Sequence, residues 1–235
     1  MESISCGHLW TNLFDGKTLK GWTNHDPKLG SFVVENGIIV GTPFPGALEG
    51  DVYDINLTYQ KEFTDFILEF TVKMDVGSNS GVQFRSHVAG KDTKIMEWPM
   101  FRPGQPQGEP KLTQLPLGDV YGYQFELMDA STGRTGDIFD ESRRKKWLDT
   151  AAMKNRPGTT TAFKDNEWND CRVEVRGDHV QTWVNGIACA DFHDTEDKRG
   201  VVGLQIHGGP RAGVNKETGK GLQVRWRTVR IQELH

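Results

Sequence analysis

The chain has 235 residues, of which 36% are hydrophobic and 26% charged, and its formal net charge is −4. This length and apolar fraction allow a sizeable core and fit one large all-β domain or two small domains. The negative net charge argues against a nucleic-acid partner bound through its phosphates. The sequence contains no run of about 18 apolar residues, so it also predicts no membrane span.

The N-terminal residues 1–6 show neither the basic region nor the apolar stretch of a signal peptide. We therefore expect a cytoplasmic protein if the chain is complete. If a leader has been removed, we expect a periplasmic or extracellular one. The oligomeric state is left open by the sequence.

The three cysteines, Cys6, Cys171 and Cys189, are an odd number and form no CxxC pair. A zinc–cysteine site is therefore not expected. Cys171 and Cys189 lie on neighbouring predicted strands, so a disulfide is conceivable, but we favour buried thiols.

In the first half of the chain, short strands alternate with turn signals. Residues 32–41 are predicted to form a hairpin, because Asn36-Gly37 tolerates the positive φ of a two-residue turn. Residues 42–57, which include Pro43 and Pro45, are predicted to be a loop, and residues 66–74 alternate as a strand with one apolar face. Residues 87–119 are rich in proline and glycine, and we expect a long excursion that packs as one wall of a cleft.

The second half continues the pattern. Residues 131–140 are predicted to be a loop that re-enters a short strand, and the basic run at 143–146 is predicted to be solvated. Asn185-Gly186 predicts a second hairpin, and the alternation of the last strand slips between Trp226 and Val229, which indicates a β-bulge. About a dozen short strands with almost no helical periodicity predict an all-β sandwich or barrel, as one domain over residues 1–235.

Three predicted strands, at residues 81–86, 122–129 and 203–207, each place apolar side chains on one face and polar side chains on the other. If they share a sheet, one face carries a cation, an anion, an imidazole and three amides: Gln83, Arg85, Gln124, Glu126, Gln205 and His207. An ordinary solvated face with cross-strand ion pairs is one interpretation. Because the set is richer in Gln than in Lys or Thr, we favour a site that suits a sugar and contains an acid/base pair.

Ordered motifs along nearly the whole chain resemble one known family. Residues 13–22, LFDGKTLKGW, are similar to the opening of the 3-keto-disaccharide hydrolase domain family. The resemblance continues through 79–85, 122–129, 167–169, 184–186 and 203–208, and it ends with the tail 226–234. The family often has Glu-x-Gln in the central strand, where this chain has Gln124-Phe125-Glu126. The resemblance implies a concanavalin A-like jelly-roll sandwich of two antiparallel sheets, with the ligand cleft on the concave face.

The resemblance also implies an activity, namely cleavage of the glycosidic bond of a 3-keto-glycoside or 3-keto-disaccharide by elimination between C1 and C2, followed by hydration. Such a path needs a base, an acid for the leaving oxygen and a group that stabilises the enolate oxygen. Glu126 and His207 are the candidates for base and acid, in either order, and Arg85 is the candidate for the ketone or enolate oxygen. A salt bridge between Arg85 and Glu126, or a purely structural imidazole at His207, is the alternative interpretation.

Six further side chains are candidates for holding the substrate. The three amides Gln83, Gln124 and Gln205 could bind sugar hydroxyls. Trp98 and Trp183 could stack on a pyranose face. Asp129 could bind a cation, although capping of its own loop is the interpretation we favour.

A divalent cation could act as the Lewis acid in place of Arg85. This requires His87, Glu126, Asp129 and His207 to converge in space. Because no ligand spacing in the sequence supports it, no metal is assigned.

Three other classes of protein compete with this interpretation. A non-catalytic, lectin-like carbohydrate-binding module is the main alternative, because one fold can host both functions. A conventional glycoside hydrolase would need two carboxylates on the same face, and the three strands offer one, Glu126. A scaffold or cell-surface interaction domain is the third alternative, and the sequence argues against it only weakly.

Overall fold

The computed structural model describes residues 9–45, 53–102, 104–149, 162–208 and 213–234. Within these ranges the chain forms sixteen β-strands and one 3-10 turn, Ala130–Thr132. The strands make two large sheets and one small hairpin, and every pairing is antiparallel. The predicted all-β sandwich of two antiparallel sheets is therefore confirmed.

The first sheet has eight strands, in the spatial order β14-β13-β12-β6-β16-β4-β3, with β1 also paired to β16. Its strands are β1 (Trp10–Asn12), β3 (Gly30–Glu35), β4 (Ile38–Pro43), β6 (Phe66–Met74), β12 (Asn169–Arg176), β13 (His179–Val184), β14 (Ile187–His193) and β16 (Val224–Glu233).

The second sheet has six strands, in the order β11-β10-β7-β15-β5-β2. Its strands are β2 (Trp22–Asn24), β5 (Tyr53–Phe63), β7 (Ser80–Val88), β10 (Val120–Leu127), β11 (Ile138–Glu141) and β15 (Gly200–Gly208). The remaining strands, β8 (Lys94–Glu97) and β9 (Lys111–Gln114), pair with each other.

The core lies between the two large sheets and takes one apolar face from each. Tyr123, Phe125 and Leu127 of β10 are fully buried, as the alternation of this strand predicts. The Phe125 ring meets the Phe70 ring of β6 edge-on, with centroids 5.2 Å apart, and so joins the two layers. The opposite face of the six-stranded sheet is left for polar side chains.

Both hairpin turns that the sequence predicts are present in the structure. Asn36 and Gly37 have φ of 50° and 78°, and Asn185 and Gly186 have φ of 50° and 80°, as two-residue hairpin turns require. The predicted β-bulge of the last strand is present as a register shift of β16 between Trp226 and Thr228. These predictions succeeded because they depend on local backbone preferences alone.

Two predicted loops are wrong. Residues 42–57 are not one loop, because β4 continues to Pro43 and β5 begins at Tyr53, with Ile55 buried in the core. The basic run is not solvated either: the side chains of Arg143 and Arg144 are 10% and 16% exposed and lie in ion pairs. Opposite charges close by allow these guanidinium groups to be buried.

The excursion at residues 87–119 packs beside Tyr121 of the six-stranded sheet, as the expectation of a packed segment requires. Ala89, Ile95 and Leu115 form a small core of their own. The backbone N–H of Trp98 donates to the carbonyl of Arg143 at 2.8 Å, which ties the excursion to the basic segment, residues 143–146.

Cys171 and Cys189 are both buried, as we favoured, and they lie on β12 and β14 with β13 between them. Cys6 lies outside the described residues. Among the described segments, none is a helix with the length and apolar character needed to cross a membrane.

Candidate functional site

The three polar strands predicted from the sequence do lie in one sheet, in the adjacent order β10-β7-β15. Gln124 is opposite Gln83 in the register, and Glu126 is opposite Gly81, which is in turn opposite Gln205. We call the face of this sheet that points away from the core the polar face. It carries Asp54, Asn56, Gln83, Gln124, Glu126, Glu141, Gln205 and His207.

Gly81 makes room for one of these amides. A Cβ at this position would lie 2.4 Å from Cδ of Gln124. The Gln124 side chain therefore occupies the space that the side chain of a residue other than glycine at position 81 would need. The missing side chain on β7 therefore lets Gln124 lie across the sheet, beside Glu126.

A chain of hydrogen bonds along the polar face ends at Glu126. Ser86 Oγ donates to Gln83 Oε1 (2.9 Å), and Gln83 Nε2 donates to Gln124 Oε1 (2.6 Å). Gln124 Nε2 then donates to Glu126 Oε2 (3.2 Å), while Asn79 Nδ2 donates to Glu126 Oε1 (3.1 Å). Both carboxyl oxygens thus accept an amide hydrogen, which fixes the orientation of the carboxyl group.

The environment of Glu126 favours its protonated form. Burial raises its pKa to about 8, and the nearby charges of Glu141 and Asp54 act in the same direction, against the two amide hydrogen bonds. At neutral pH this carboxyl group therefore carries a proton that it can give away.

His207 lies between an amide and a carboxyl group. Its Nε2 atom is 3.0 Å from Gln205 Oε1 and 3.2 Å from Asp54 Oδ1. Burial lowers the pKa of His207, against the charge of Glu141, so the neutral imidazole is favoured. The side chains of His207 and Asp54 keep 19% and 28% exposure, so a ligand on the polar face can reach them.

Asp54 and Glu141 complete the ionisable cluster. Burial raises the pKa of Asp54, and the charge of Asp119 adds to this effect. Glu141 lies on the edge strand β11, opposite Gly122 of β10. Burial also raises the pKa of Glu141, and the charge of Asp54 raises it further. Since like charges confined together cannot all ionise easily, this cluster holds protons near neutral pH.

Lys145 is the cation that approaches this cluster. Its charge lowers the pKa of both Asp54 and Glu141, and its ammonium group pairs with Glu97 of β8. Lys145 has a φ of 48°, which is a strained backbone conformation for a residue other than glycine. Such a conformation persists only when neighbouring residues hold it in place.

A buried network of ion pairs holds the basic segment that carries Lys145. Arg143 Nη2 lies 3.0 Å from Asp140 Oδ2 and 2.7 Å from Asp197 Oδ2. Arg144 pairs with the same Asp140 and with Asp194, at 2.7 Å from the latter's Oδ2. The two arginines therefore anchor the segment that carries Lys145.

Three buried polar atoms on or beside the polar face have no hydrogen-bond partner among the described residues. They are Asn56 Oδ1, Asn79 Oδ1 and Gln205 Nε2. Buried polar groups in folded proteins are nearly always paired, so these two acceptors and one donor indicate a place for water or for ligand hydroxyls.

Arg85 does not belong to the polar face, and its expected salt bridge with Glu126 does not form. A β-bulge with φ of 46° at Arg85 breaks the alternation of β7. The guanidinium donates to Thr64 O (2.6 Å), Gly177 O (2.7 Å) and Asp65 Oδ1 (2.7 Å). Because these partners hold it away from the cluster, the expectation that it binds the ketone oxygen is wrong.

The two tryptophans predicted to stack on sugar lie in different places. Trp98 is half-buried in the excursion, directly after the Glu97 that pairs with Lys145. Trp183 lies on the outward face of the eight-stranded sheet, with the Arg172 guanidinium 5.7 Å from its ring centroid. Because β13 belongs to the other sheet, Trp183 cannot act at the polar face.

The residues that would have to converge for a metal site do not do so. The Asp129 carboxylate accepts the backbone N–H of Gly77 at 3.0 Å, and His87 Nε2 lies 2.8 Å from Asp197 Oδ1. No group of three or more His, Cys, Asp or Glu in the described part of the chain is placed to hold a metal ion. Asp129 thus fastens the turn before β7, and the expectation that its side chain caps its own loop is wrong.

Five members of the site were missed from the sequence: Asp54, Asn56, Asn79, Glu141 and Lys145. Asp54 and Asn56 alternate with Ile55 and Leu57, the same pattern that revealed the other strands, so a search for it in 42–57 would have found them. Lys145 gives no such signal, because its position near the cluster depends on the ion pairs of Arg143 and Arg144 with residues far away in the sequence.

Comparisons with known proteins agree with this architecture. The sequence profile of the 3-keto-alpha-glucoside-1,2-lyase-like domain family matches residues 9–232. No functionally curated protein matches the chain.

Among solved structures, a glycosyl hydrolase candidate from Parabacteroides distasonis is similar with a TM-score of 0.53 and 20% identity, over 96% of this chain and 94% of the other. The carbohydrate-binding module CBM66 from Bacillus subtilis is similar with a TM-score of 0.50 and 14% identity, over 91% and 96%. An endo-β-galactosidase from Clostridium perfringens is similar with a TM-score of 0.53 and 11% identity, over 95% of this chain and 61% of the other. At these identities the likeness concerns the fold.

Proposed function

Since this chain belongs to the 3-keto-alpha-glucoside-1,2-lyase-like domain family, we propose that it cleaves the glycosidic bond of a 3-keto-glycoside at the polar face, by elimination. The observation that carries the proposal is that Glu126 and His207 lie on the same face of one sheet, where burial raises the pKa of the carboxyl group and lowers that of the imidazole. His207 and Asp54 are the partly exposed groups of this face that a sugar can contact.

His207 is the proposed base. When its Nε2–H is donated to Asp54 or Gln205, the Nδ1 atom keeps its lone pair. Nδ1 takes the proton from C2 of the sugar, which the C3 ketone makes acidic, and an enolate forms across C2 and C3. Asp54 then stabilises the imidazolium, the role that a carboxylate has beside a catalytic histidine.

Glu126 is the proposed acid. The enolate collapses to a C1–C2 double bond and expels the C1 oxygen, which takes the proton of Glu126. The raised pKa of Glu126 keeps this proton available at neutral pH. Water then adds across the double bond and gives the free 3-keto sugar.

Lys145 takes the place that the sequence had assigned to Arg85. Its ammonium group pairs with Glu97 and lies near enough to Asp54 and Glu141 for its charge to lower the pKa of both, so it can stabilise the negative oxygen of the enolate. Asn56, Asn79 and Gln205 each carry a buried polar atom that an ordered water between protein and substrate would satisfy. Because the substrate already carries a ketone at C3, an oxidation of the sugar hydroxyl must precede this step.

The test follows the proton at C2. An alkyl 3-keto-α-glucoside deuterated at C2 is incubated with the protein, beside the unoxidised glucoside. We expect turnover of the keto sugar alone, with loss of deuterium to solvent. Glu126→Gln and His207→Ala should each lower kcat by about 100-fold or more. Lys145→Met should lower it similarly, while its neighbour Lys146→Met should not.

A conventional glycoside hydrolase is the second candidate, and one observation favours it. The polar face carries Asp54 and Glu141 besides Glu126, so two carboxylates are available for direct displacement. This mechanism would cleave the unoxidised sugar and would keep the C2 deuterium. Binding of the keto sugar without any cleavage would support a lectin-like module instead.

A further inference from the structure

The outward face of the eight-stranded sheet, on the side of the molecule away from the polar face, carries a concavity. Four large side chains stand in one row across four strands, in register: Trp183, Arg172, Glu69 and Arg230. They form one wall of a cavity of about 630 Å³, which falls within the range typical of small-molecule pockets.

The next row across the same strands is made of short side chains. Asp170, Thr71 and Thr228 stand in register, and Gly186 of the hairpin turn extends the row. Thr71 Oγ1 donates to Asp170 Oδ1 at 2.8 Å, so these side chains lie down on the sheet. A tall row beside a short row produces a trough across the strands, which we call the outer groove.

The charges that line the outer groove balance. Arg172 and Arg230 both pair with Glu69, at 2.9 and 2.7 Å, and Asp170 is the second carboxylate. Two guanidinium groups and two carboxylates give a formal charge of zero. Such a groove has no preference for an anion or a cation, but it offers both donors and acceptors to a neutral ligand with many hydroxyls.

Trp183 supplies the apolar component. Arg172 covers one side of its ring, with the guanidinium carbon 5.7 Å from the centroid, and this contact holds the indole upright. Its cross-strand neighbour on the other side is Ala188, whose side chain is a methyl group. Trp183 is half-buried and lines the groove, so its indole offers apolar surface on which a sugar face can pack.

We propose that the outer groove is a second saccharide-binding site, which takes a neutral linear oligosaccharide with Trp183 packed on one pyranose ring. The Arg172, Glu69 and Arg230 row would then bind its hydroxyls. This inference rests on the shape and charge of the groove, so it holds whichever reaction the polar face performs. A site of this kind would attach the protein to a polymer while the polar face acts on a short substrate.

The test measures binding of unoxidised, neutral gluco-oligosaccharides of six units, with β-1,4, α-1,4 and β-1,3 linkages, by calorimetry and by the indole N–H signals in NMR spectra. At least one hexasaccharide should bind the parent protein and shift the Trp183 signal. Trp183→Ala should weaken this binding by about tenfold. Thr228→Arg, which fills the floor, should weaken it as well.

The matched control is Trp168→Ala, since Trp168 also stacks with an arginine of the same sheet, Arg227 at 4.7 Å, but lies outside the groove. It should bind as the parent protein does. All three variants should turn over the small keto-glucoside normally, which separates this site from the polar face. Absence of binding for all three linkages would overturn the proposal. So would binding that survives both groove variants or is lost only in Gln205→Ala.

Discussion

At the scale of single residues, Glu126 shows how neighbours rather than strand position decide chemistry. Gln124 and Glu126 lie on the same face of the same strand, and both are buried. The amide of Gln124 stays neutral, whereas burial and the charge of Glu141 raise the pKa of Glu126 to about 8. The protonation state of the acid therefore depends less on its position in the motif than on its burial and on the carboxyl groups around it.

This shift predicts a pH dependence of activity. A general acid works only while protonated, so kcat/KM should fall as the pH rises through about 8. It should also fall at low pH, as the lowered pKa of His207 is passed and the base becomes protonated. The measurement is a pH profile of kcat/KM with an alkyl 3-keto-glucoside.

The leaving group supplies the control for the acid role. A nitrophenyl 3-keto-glucoside expels an oxygen that needs no proton, so Glu126→Gln should retain most of its activity on it and lose the alkaline limb. On the alkyl substrate the same variant should be nearly inactive. Equal losses on both substrates would mean that Glu126 does not act as the acid.

At this scale the sequence predicts the polar face only where the strand alternation is regular. Gln83, Gln124, Glu126, Gln205 and His207 follow from parity, because side chains on a strand alternate. Arg85 does not, since an arginine at φ of 46° gives no signal in the sequence. The pairing of His207 with Asp54 could not be predicted either, because it depends on which strand lies beside β15.

At the scale of elements, the floor of the site depends on the absence of a side chain in β7. Gly81 lies between Glu126 and Gln205 in the register, and Gln124 fills the space above it. Strands usually avoid glycine, because it contributes no packing. Here its cost to β7 is offset by the hydrogen-bond chain that it lets Gln124 complete.

We predict that Gly81→Ala lowers both stability and activity, because the new Cβ would lie 2.4 Å from Cδ of Gln124. The expected loss of stability is about 1–3 kcal/mol, measured by urea denaturation, and turnover should slow by about tenfold or more. The control is Gly90→Ala, where the nearest atom is 3.7 Å away, and it should change neither.

A double variant separates the two effects. Shortening the amide in Gly81→Ala/Gln124→Ala removes the clash, so stability should return toward that of Gln124→Ala alone. Activity should stay low, because Glu126 then lacks its donor from Gln124. Additive losses of stability in the double variant would contradict the proposed contact.

At the scale of the whole molecule, Arg85 joins the two sheets. It starts from a bulge in β7 of the six-stranded sheet and donates to Gly177 O in the turn between β12 and β13 of the other sheet. It also holds Thr64 O in the turn that connects β5 to β6. The hairpin predictions required only local signals, but this bridge required the whole sandwich to be known.

The last prediction concerns this bridge. Arg85→Gln should lower the free energy of unfolding by about 3 kcal/mol, because the ion pair with Asp65 is lost and three backbone carbonyls lose their guanidinium donor. For a chain of this size the melting temperature should fall by roughly 6–12 °C. Arg199→Gln is the matched control, because it removes an exposed ion pair. The side chains of Arg199 and its partner Glu62 are 65% and 46% exposed, so this change should leave the free energy of unfolding almost unaltered.

The activity of Arg85→Gln then distinguishes a structural arginine from a catalytic one. Below its melting temperature the variant should keep the pH profile of the parent protein and turn over substrate within about threefold of the parent rate, because the guanidinium does not reach the polar face. Turnover slowed by about 100-fold, with an unchanged melting temperature, would return Arg85 to the active site. In that case the bulge in β7 would have to open when the substrate binds.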